Sequence, residues 1–125
     1  MRREVVIGLR ALGEMEEGRF QRFMLPEPAW MPGGALATSV LVGKVGGAVR
    51  AYANVCRHHP LPLDHDAPAE AGPMAADGHH LECHQHGALY RPTDGLCTDG
   101  PCRGERLFPA GVEEREDGVA VFLDG

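Results

Sequence analysis

Two short motifs, each pairing a cysteine with a histidine, constrain the fold of this chain more than any other feature. The first is Cys56-Arg57-His58 and the second is Cys83-His84-Gln85-His86. Two thiolates and two imidazoles are the ligands of a mixed-ligand 2Fe-2S cluster, with Cys56 and Cys83 on one iron and His58 and His86 on the other. The sequence therefore predicts a fold in which two distant loops meet at one metal centre.

Replacing two cysteine ligands by histidine changes the charge of such a centre. Two ferric ions, two sulfides and two thiolates sum to zero, whereas four thiolates would leave a net negative charge. A neutral centre accepts an electron more readily than an anionic one, so mixed ligation raises the reduction potential.

A structural zinc site is the alternative for the same four residues. Zinc ligands usually come as a Cys-Cys pair and a His-His pair, whereas each motif here mixes the two residue types, which favours the cluster. The other histidines are predicted to be solvated loop residues rather than further ligands, and His59 could tune the exposure of the ligand before it. These histidines are His59, His65, His79, His80 and His84.

The two motifs resemble those of the Rieske family, which has Cys-x-His in one loop and Cys-x-x-His in another. The stretch 94–102, which contains Pro101, is similar to the proline-bearing loop that covers the cluster in that family. The resemblance runs from about Ala37 onward. It implies one 2Fe-2S cluster and an all-β fold, with an antiparallel β-sandwich base and a smaller cluster-binding subdomain at about residues 54–105. We expect one domain over residues 1–125.

The resemblance also bears on the reduction potential. High-potential Rieske proteins carry a disulfide at the positions of Leu61 and Gln85, and a serine at the position of Ala88, so this chain lacks both. Tyr90 stands where those proteins have a tyrosine that donates to a ligand-cysteine sulfur. We therefore expect a potential in the lower part of the range of about −150 to +300 mV spanned by Rieske centres.

The presumed covering loop contains two further cysteines, Cys97 and Cys102. We expect them to be reduced, structural thiols, with a disulfide as the alternative, because sequence separation does not determine Cβ geometry. Pro101 has a fixed φ and no amide proton, and we expect it to shape a rigid, dry lid beside the cluster.

The 17 glycines and 10 prolines favour short strands joined by turns. The clearest hairpin joins residues 38–45 to 48–55 through Gly46-Gly47. Trp30 is predicted to pack on the sandwich, with a partner contact as the alternative. Residues 64–78 are predicted to form an exposed, mobile excursion within the long segment 59–82. Further strands are predicted at residues 5–9, 19–25, 80–83, 88–91, 107–114 and 119–123, with a polar turn at residues 12–18.

Charge and length limit the classes of function. The formal charge of −6 argues against nucleic acid as a partner. The apolar run Val5–Leu9 is too short for a signal peptide or a membrane anchor, so we expect a cytoplasmic protein with no membrane partner.

The resemblance implies a soluble one-electron carrier that passes electrons from a reductase to an oxygenase or a similar terminal enzyme. Residues 87–125 contain no histidine, so the mononuclear iron site of a Rieske oxygenase is not expected and the chain is predicted not to be an enzyme itself. The alternative is a small subunit or redox-sensing component of a larger oxidoreductase complex, with residues 59–82 as a docking element.

Overall fold

The computed structural model describes residues 2–124, which form three antiparallel sheets of three strands each. Met1 and Gly125, which the predicted domain includes, lie outside the described residues. The elements in chain order are β1 (Arg2–Gly8), α1 (Leu9–Glu14), β2 (Gln21–Trp30), β3 (Leu36–Val45), β4 (Ala48–Ala53), β5 (Leu81–Cys83), β6 (Ala88–Tyr90), β7 (Cys97–Asp99), β8 (Gly111–Arg115) and β9 (Gly118–Asp124).

Two of the sheets form the base of the fold. Their strand orders are β1-β9-β8 and β2-β3-β4, and they enclose one apolar core that includes Ile7, Val40, Val42 and Val121. The third sheet, β5-β6-β7, is smaller and carries the second Cys–His motif. The predicted all-β fold, with a sandwich base and a smaller sheet for the metal centre, is confirmed.

Strand β3 is buried on both of its faces. Val40 and Val42 point into the core of the base, whereas Leu41 between them belongs to a second core. That second core also contains Leu63, Leu81 and Tyr90. Because successive side chains of a strand point to opposite faces, a continuous apolar run suits a strand covered on both sides. The region that carries the two motifs thus packs on the outer face of the β2-β3-β4 sheet.

The β3–β4 hairpin forms where it was predicted. Val45 pairs with Ala48, and the turn residues Gly46 and Gly47 have φ values of 62° and 81°. Both φ values are positive, as a two-residue hairpin turn requires, and glycine adopts them without steric cost. The turn is held further by the Glu17 carboxylate, which accepts hydrogen bonds from both glycine N–H groups.

Strand β2 departs from the prediction because it continues through the proline-rich stretch. Its register against β3 shifts between Met24 and Ala29, and it pairs on one side only. An edge strand tolerates proline because its outer N–H groups need no partner strand. The prediction for Trp30 is wrong: the strand alternation turns Ala29 inward, and the Trp30 side chain is 63% exposed.

Three other local predictions need correction. The predicted turn after β1 is in part the short helix α1, whose residues Leu9-Arg10-Ala11-Leu12 are favourable in helices. Strand β7 was not predicted, since it has only three residues and depends on pairing with β6. Of the predicted strand 107–114, residues 111–114 lie in a strand, which is β8.

The segment predicted to be an exposed excursion is anchored at both ends. Leu63 is fully buried before it, and Met74 is buried within it and accepts a hydrogen bond at its sulfur from the Phe20 N–H at 3.4 Å. Residues 68–70, in the middle, are exposed as predicted. Among the helices of residues 2–124, none has the length and apolar character needed to cross a membrane.

Candidate metal centre

The first motif follows directly from strand β4. The chain leaves β4 at Ala53, whose N–H donates to the Phe108 carbonyl at 2.8 Å, and reaches Cys56 three residues later. The Cys56 N–H donates to the Leu61 carbonyl at 2.8 Å, which closes the loop after the motif. Cys56 is therefore held at the end of a rigid strand, with a buried side chain.

The second motif is the turn of the β5–β6 hairpin. Cys83 pairs with Ala88 across the hairpin, and its carbonyl accepts hydrogen bonds from the N–H groups of His86 at 3.2 Å and Gly87 at 2.7 Å. Gly87 has a φ of 73°, which favours glycine at this point of the tight turn. The turn fixes the direction of His86 relative to Cys83.

The structure brings the two cysteine thiols of the motifs into contact. The interaction of the Cys83 side chain with the Cys56 sulfur lowers the pKa of Cys56 to about 5, against the opposing effect of burial. The pKa of Cys83 is raised by the same interaction and by the burial of the side chain. Since a metal-binding cysteine must be a thiolate, the pair contains one sulfur already disposed to lose its proton.

The structure also gathers three imidazoles. The ring centroids of His58 and His86 are 4.7 Å apart, and that of His59 lies 4.3 Å from His58 and 4.2 Å from His86. One ring nitrogen from each of the three lies within 4.8 Å of the others. His58 and His59 are exposed, whereas His86 is half-buried. His59 was predicted to be solvated, which is correct, but its position against both predicted ligands was missed.

The donor set fits a mixed-ligand cluster. Two buried sulfurs and two imidazoles converge from two loops, and softer thiolate and imidazole ligands are those that iron–sulfur centres use. Among the described residues, the Nε2 atom of His86 is the buried side-chain N or O atom without a hydrogen-bond partner. An unpaired buried nitrogen is costly unless it has a ligand, so it fits a metal-binding role.

A third loop closes on the second motif. A Cβ added to Gly100 would lie 2.8 Å from the Ala88 Cα atom, so the two backbones are in close contact. Residues 97–99 of this loop form strand β7, and its covering of the cluster stays a prediction. Pro101 is exposed on the turn that carries Cys102, and the structure does not give it the enclosed position expected of a dry lid.

The two cysteines of the third loop are free, buried thiols, as expected. The Sγ atoms of Cys97 and Cys102 are 3.2 Å apart, in hydrogen-bond contact. Burial raises the pKa of Cys97 to about 12, so this thiol stays protonated at neutral pH.

Tyr90 lies between the two sulfur pairs. Its hydroxyl oxygen is 3.5 Å from the Sγ atom of Cys56 and 3.0 Å from the Sγ atom of Cys102, and the side chain is fully buried. Burial raises the pKa of the Tyr90 phenol, so the group stays protonated and can donate. The predicted contact between Tyr90 and a motif cysteine is present in the structure.

A buried asparagine ties the two motifs together. The Asn54 side chain accepts a hydrogen bond from the Leu63 N–H at 2.8 Å, and the Leu63 carbonyl accepts one from the His84 N–H at 3.0 Å. Asn54 also donates to Ser39 Oγ and Asp64 Oδ1, both at 3.0 Å. This bridge joins the two motif loops without a disulfide. Sequence reasoning missed it, although the polar Asn54 inside the otherwise apolar stretch 51–56 was a signal.

We expect Asn54→Ala to destabilise the protein by about 2–3 kcal/mol, because it leaves the buried Leu63 N–H unpaired and removes the bonds to Ser39 and Asp64. Urea unfolding measures the effect. Gln85→Ala is the matched control, since Gln85 makes only an exposed 3.4 Å bond to Asp66 between the same two segments. If both variants had the same urea midpoint as the wild type, the role of Asn54 would be contradicted.

The remaining histidines do not belong to the group formed by the His58, His59 and His86 rings. His65 and His79 are exposed, and His80 bonds to the Asp77 carboxylate at 2.7 Å. His84 is more buried than predicted, because its Nε2 atom is 3.2 Å from the Met74 carbonyl oxygen. The prediction of solvated loop residues therefore holds for His65 and His79, whereas His80 and His84 are partly buried.

A fold with a sandwich base and a small sheet carrying Cys-x-His and Cys-x-x-His loops defines a class of iron–sulfur domain. The family model described as Rieske [2Fe-2S] domain matches residues 10–121, so the chain belongs to that family. Family membership implies one Rieske-type 2Fe-2S cluster, as predicted, and decides against the zinc alternative. No curated protein sequence matches this chain significantly.

Solved structures with similar folds include the ferredoxin of carbazole 1,9a-dioxygenase from Nocardioides aromaticivorans IC177. It is 20% identical, with a TM-score of 0.61 and coverage of 98% of both chains. A chain in a complex of reduced oxygenase and oxidized ferredoxin of carbazole 1,9a-dioxygenase is 24% identical, with a TM-score of 0.59 over 94% of this chain and 91% of that one.

A longer chain also shares the fold. It belongs to the reduced complex between oxygenase and ferredoxin in carbazole 1,9a-dioxygenase, and it is 18% identical with a TM-score of 0.66. The match covers 98% of the present chain, which spans only 28% of the length of that one. At these identities the likeness establishes the fold.

Proposed function

We propose that this protein is a one-electron carrier of the Rieske ferredoxin type, in which Cys56 and Cys83 hold one iron and His58 and His86 hold the other. The observation that carries the proposal is the convergence of the two motifs, in which the His58 and His86 rings are 4.7 Å apart, the cysteine sulfurs are buried and the His58 imidazole is exposed. When bound, the cluster accepts and returns a single electron.

The protein's own residues divide the site into an insulated side and an open side. Cys56 and Cys83 are 2% and 0% exposed, and they lie in the apolar core that also contains Leu63, Leu81 and Tyr90. This core excludes water from the sulfurs. His58 is exposed, so a partner protein can approach the imidazole side closely. No catalytic group beyond the cluster ligands is needed for this role.

We further propose that the partners are a reductase and a terminal oxygenase or similar enzyme, and that the protein works in the cytoplasm. The similarity to a ferredoxin of a dioxygenase system along 98% of both chains supports a carrier of similar size and shape. The four intact candidate ligands support a protein that itself carries the electron.

An EPR-monitored redox titration of the iron-loaded protein tests the proposal. We expect a one-electron signal with the low average g value of mixed His/Cys ligation, and a midpoint in the lower part of the range of about −150 to +300 mV. Chemically reduced protein should also reduce cytochrome c with one electron per chain. A protein that contains zinc and gives no such signal would refute the proposal.

A further inference from the structure

The hydroxyl group of Tyr90 faces two sulfur atoms, and only one of them belongs to a candidate ligand. Its oxygen is 3.5 Å from Cys56 Sγ and 3.0 Å from Cys102 Sγ. The Arg57 N–H donates to the same oxygen at 3.0 Å. Tyr90, Cys56 and Cys102 are all buried, so bulk water does not offer the phenol another partner.

The direction of the hydrogen bonds beyond Cys102 follows from the last acceptor. Cys97 Sγ is 3.2 Å from the Asp99 carbonyl oxygen, and a carbonyl can only accept, so the Cys97 thiol donates there. The Cys102 thiol then donates its proton to Cys97 Sγ, at 3.2 Å. With its proton used in this way, Cys102 faces Tyr90 as an acceptor.

Tyr90 therefore has one proton for two acceptors. The N–H of Arg57 occupies a lone pair of the phenol oxygen, which leaves the hydroxyl as a donor. The Cys102 sulfur lies 0.5 Å nearer to that oxygen than the Cys56 sulfur does (3.0 Å against 3.5 Å). The shorter contact lets Cys102 compete with Cys56 for the proton.

We propose that Cys102 is a positioning residue that diverts the Tyr90 hydroxyl proton from the Cys56 sulfur and so keeps the reduction potential of the bound cluster low. The inference rests on the proposed function, in which Cys56 is an iron ligand. A hydrogen bond to a ligand sulfur stabilises the charge of the added electron and raises the potential. Competition from Cys102 for that bond lowers the potential. The third loop therefore affects the potential of the cluster through Tyr90.

The test compares the midpoint potentials of four proteins: wild type, Cys102→Ala, Tyr90→Phe and the double variant. In Cys102→Ala the Tyr90 proton is free to turn to Cys56, and we expect the equilibrium constant for reduction to rise about fivefold, the effect of one ordinary hydrogen bond. At 59 mV per tenfold for one electron, this is an upward shift of about 40 mV. In the Tyr90→Phe background, Cys102→Ala should cause no shift, because the donor through which it acts is gone.

Iron and sulfide content and the EPR line shape are measured on every variant, with Cys102→Val as a substitute if Cys102→Ala does not fold. Equal shifts in both backgrounds, or an unchanged potential in Cys102→Ala with a full cluster, would overturn the inference alone. Absence of a mixed-ligand EPR signal from the wild type would instead refute the proposed function. The two failures are therefore distinguishable.

Discussion

His86→Ala is expected to yield a folded protein without the visible absorbance and EPR signal of a mixed-ligand cluster, whereas His59→Ala retains both. The comparison is needed because three imidazoles, those of His58, His59 and His86, lie close enough together to share a metal. The motif spacing assigns the ligand role to His58 and His86. Burial supports the ligand role of His86, because its Nε2 atom is buried without a hydrogen-bond partner, whereas His59 is exposed.

The size of this effect follows from the ligand count. Losing even a hydrogen-bond partner of a metal ligand typically costs about 10–100-fold in affinity, so the loss of the ligand itself should leave purified protein without the cluster. Iron content and far-UV circular dichroism separate cluster loss from unfolding. Retention of the cluster in His86→Ala together with its loss in His59→Ala would reassign the ligand.

Gly118→Ala is expected to destabilise the protein by about 2–5 kcal/mol through its base, far from the motif loops. An added Cβ at Gly118 would lie 1.9 Å from the Ile7 carbonyl oxygen, and the φ of 148° is strained for any L side chain. Gly118 pairs with Gly8 at one end of the β1–β9 ladder, so the backbone there must shift. Urea unfolding should show a lower midpoint.

Gly13→Ala is the matched control for this substitution. Gly13 lies in α1, and an added Cβ would meet nothing within 4 Å. Alanine is favoured over glycine in a helix by about 1 kcal/mol, so this variant should be as stable as the wild type or slightly more stable. An unchanged urea midpoint for Gly118→Ala would contradict the prediction. It would mean that the backbone at the start of β9 shifts without loss of stability.

The parts of the fold that could be predicted from sequence are those with a local cause. The β3–β4 hairpin follows from two glycines between apolar runs, and the motif loops follow from the chemistry of their ligands. The missed parts depend on distant partners. Strand β7 exists because β6 lies beside it, and the outward direction of Trp30 depends on the register of β2 against β3.

In the candidate site, too, local features could be predicted from the sequence and contacts between distant residues could not. Cys56, His58, Cys83 and His86 were proposed as ligands from spacing and residue type alone, and the assignment remains a proposal that the histidine variants test. The contacts that surround them had no such signal. The bridge from Asn54 through Leu63 depends on how residues 59–82 fold back, and the approach of Cys102 to Tyr90 depends on the pairing of β6 with β7.

The burial of the two motif cysteines and the exposure of His58 bear on how the proposed partner proteins would bind. In the proposed function, electrons would enter and leave at the face around His58, because the apolar core encloses the cysteine side of the site. The proposed donor and acceptor proteins would then compete for one contact surface and bind to it in turn. The turnover of such a carrier is limited by its dissociation from each partner. Weak, short-lived complexes therefore suit it better than tight ones.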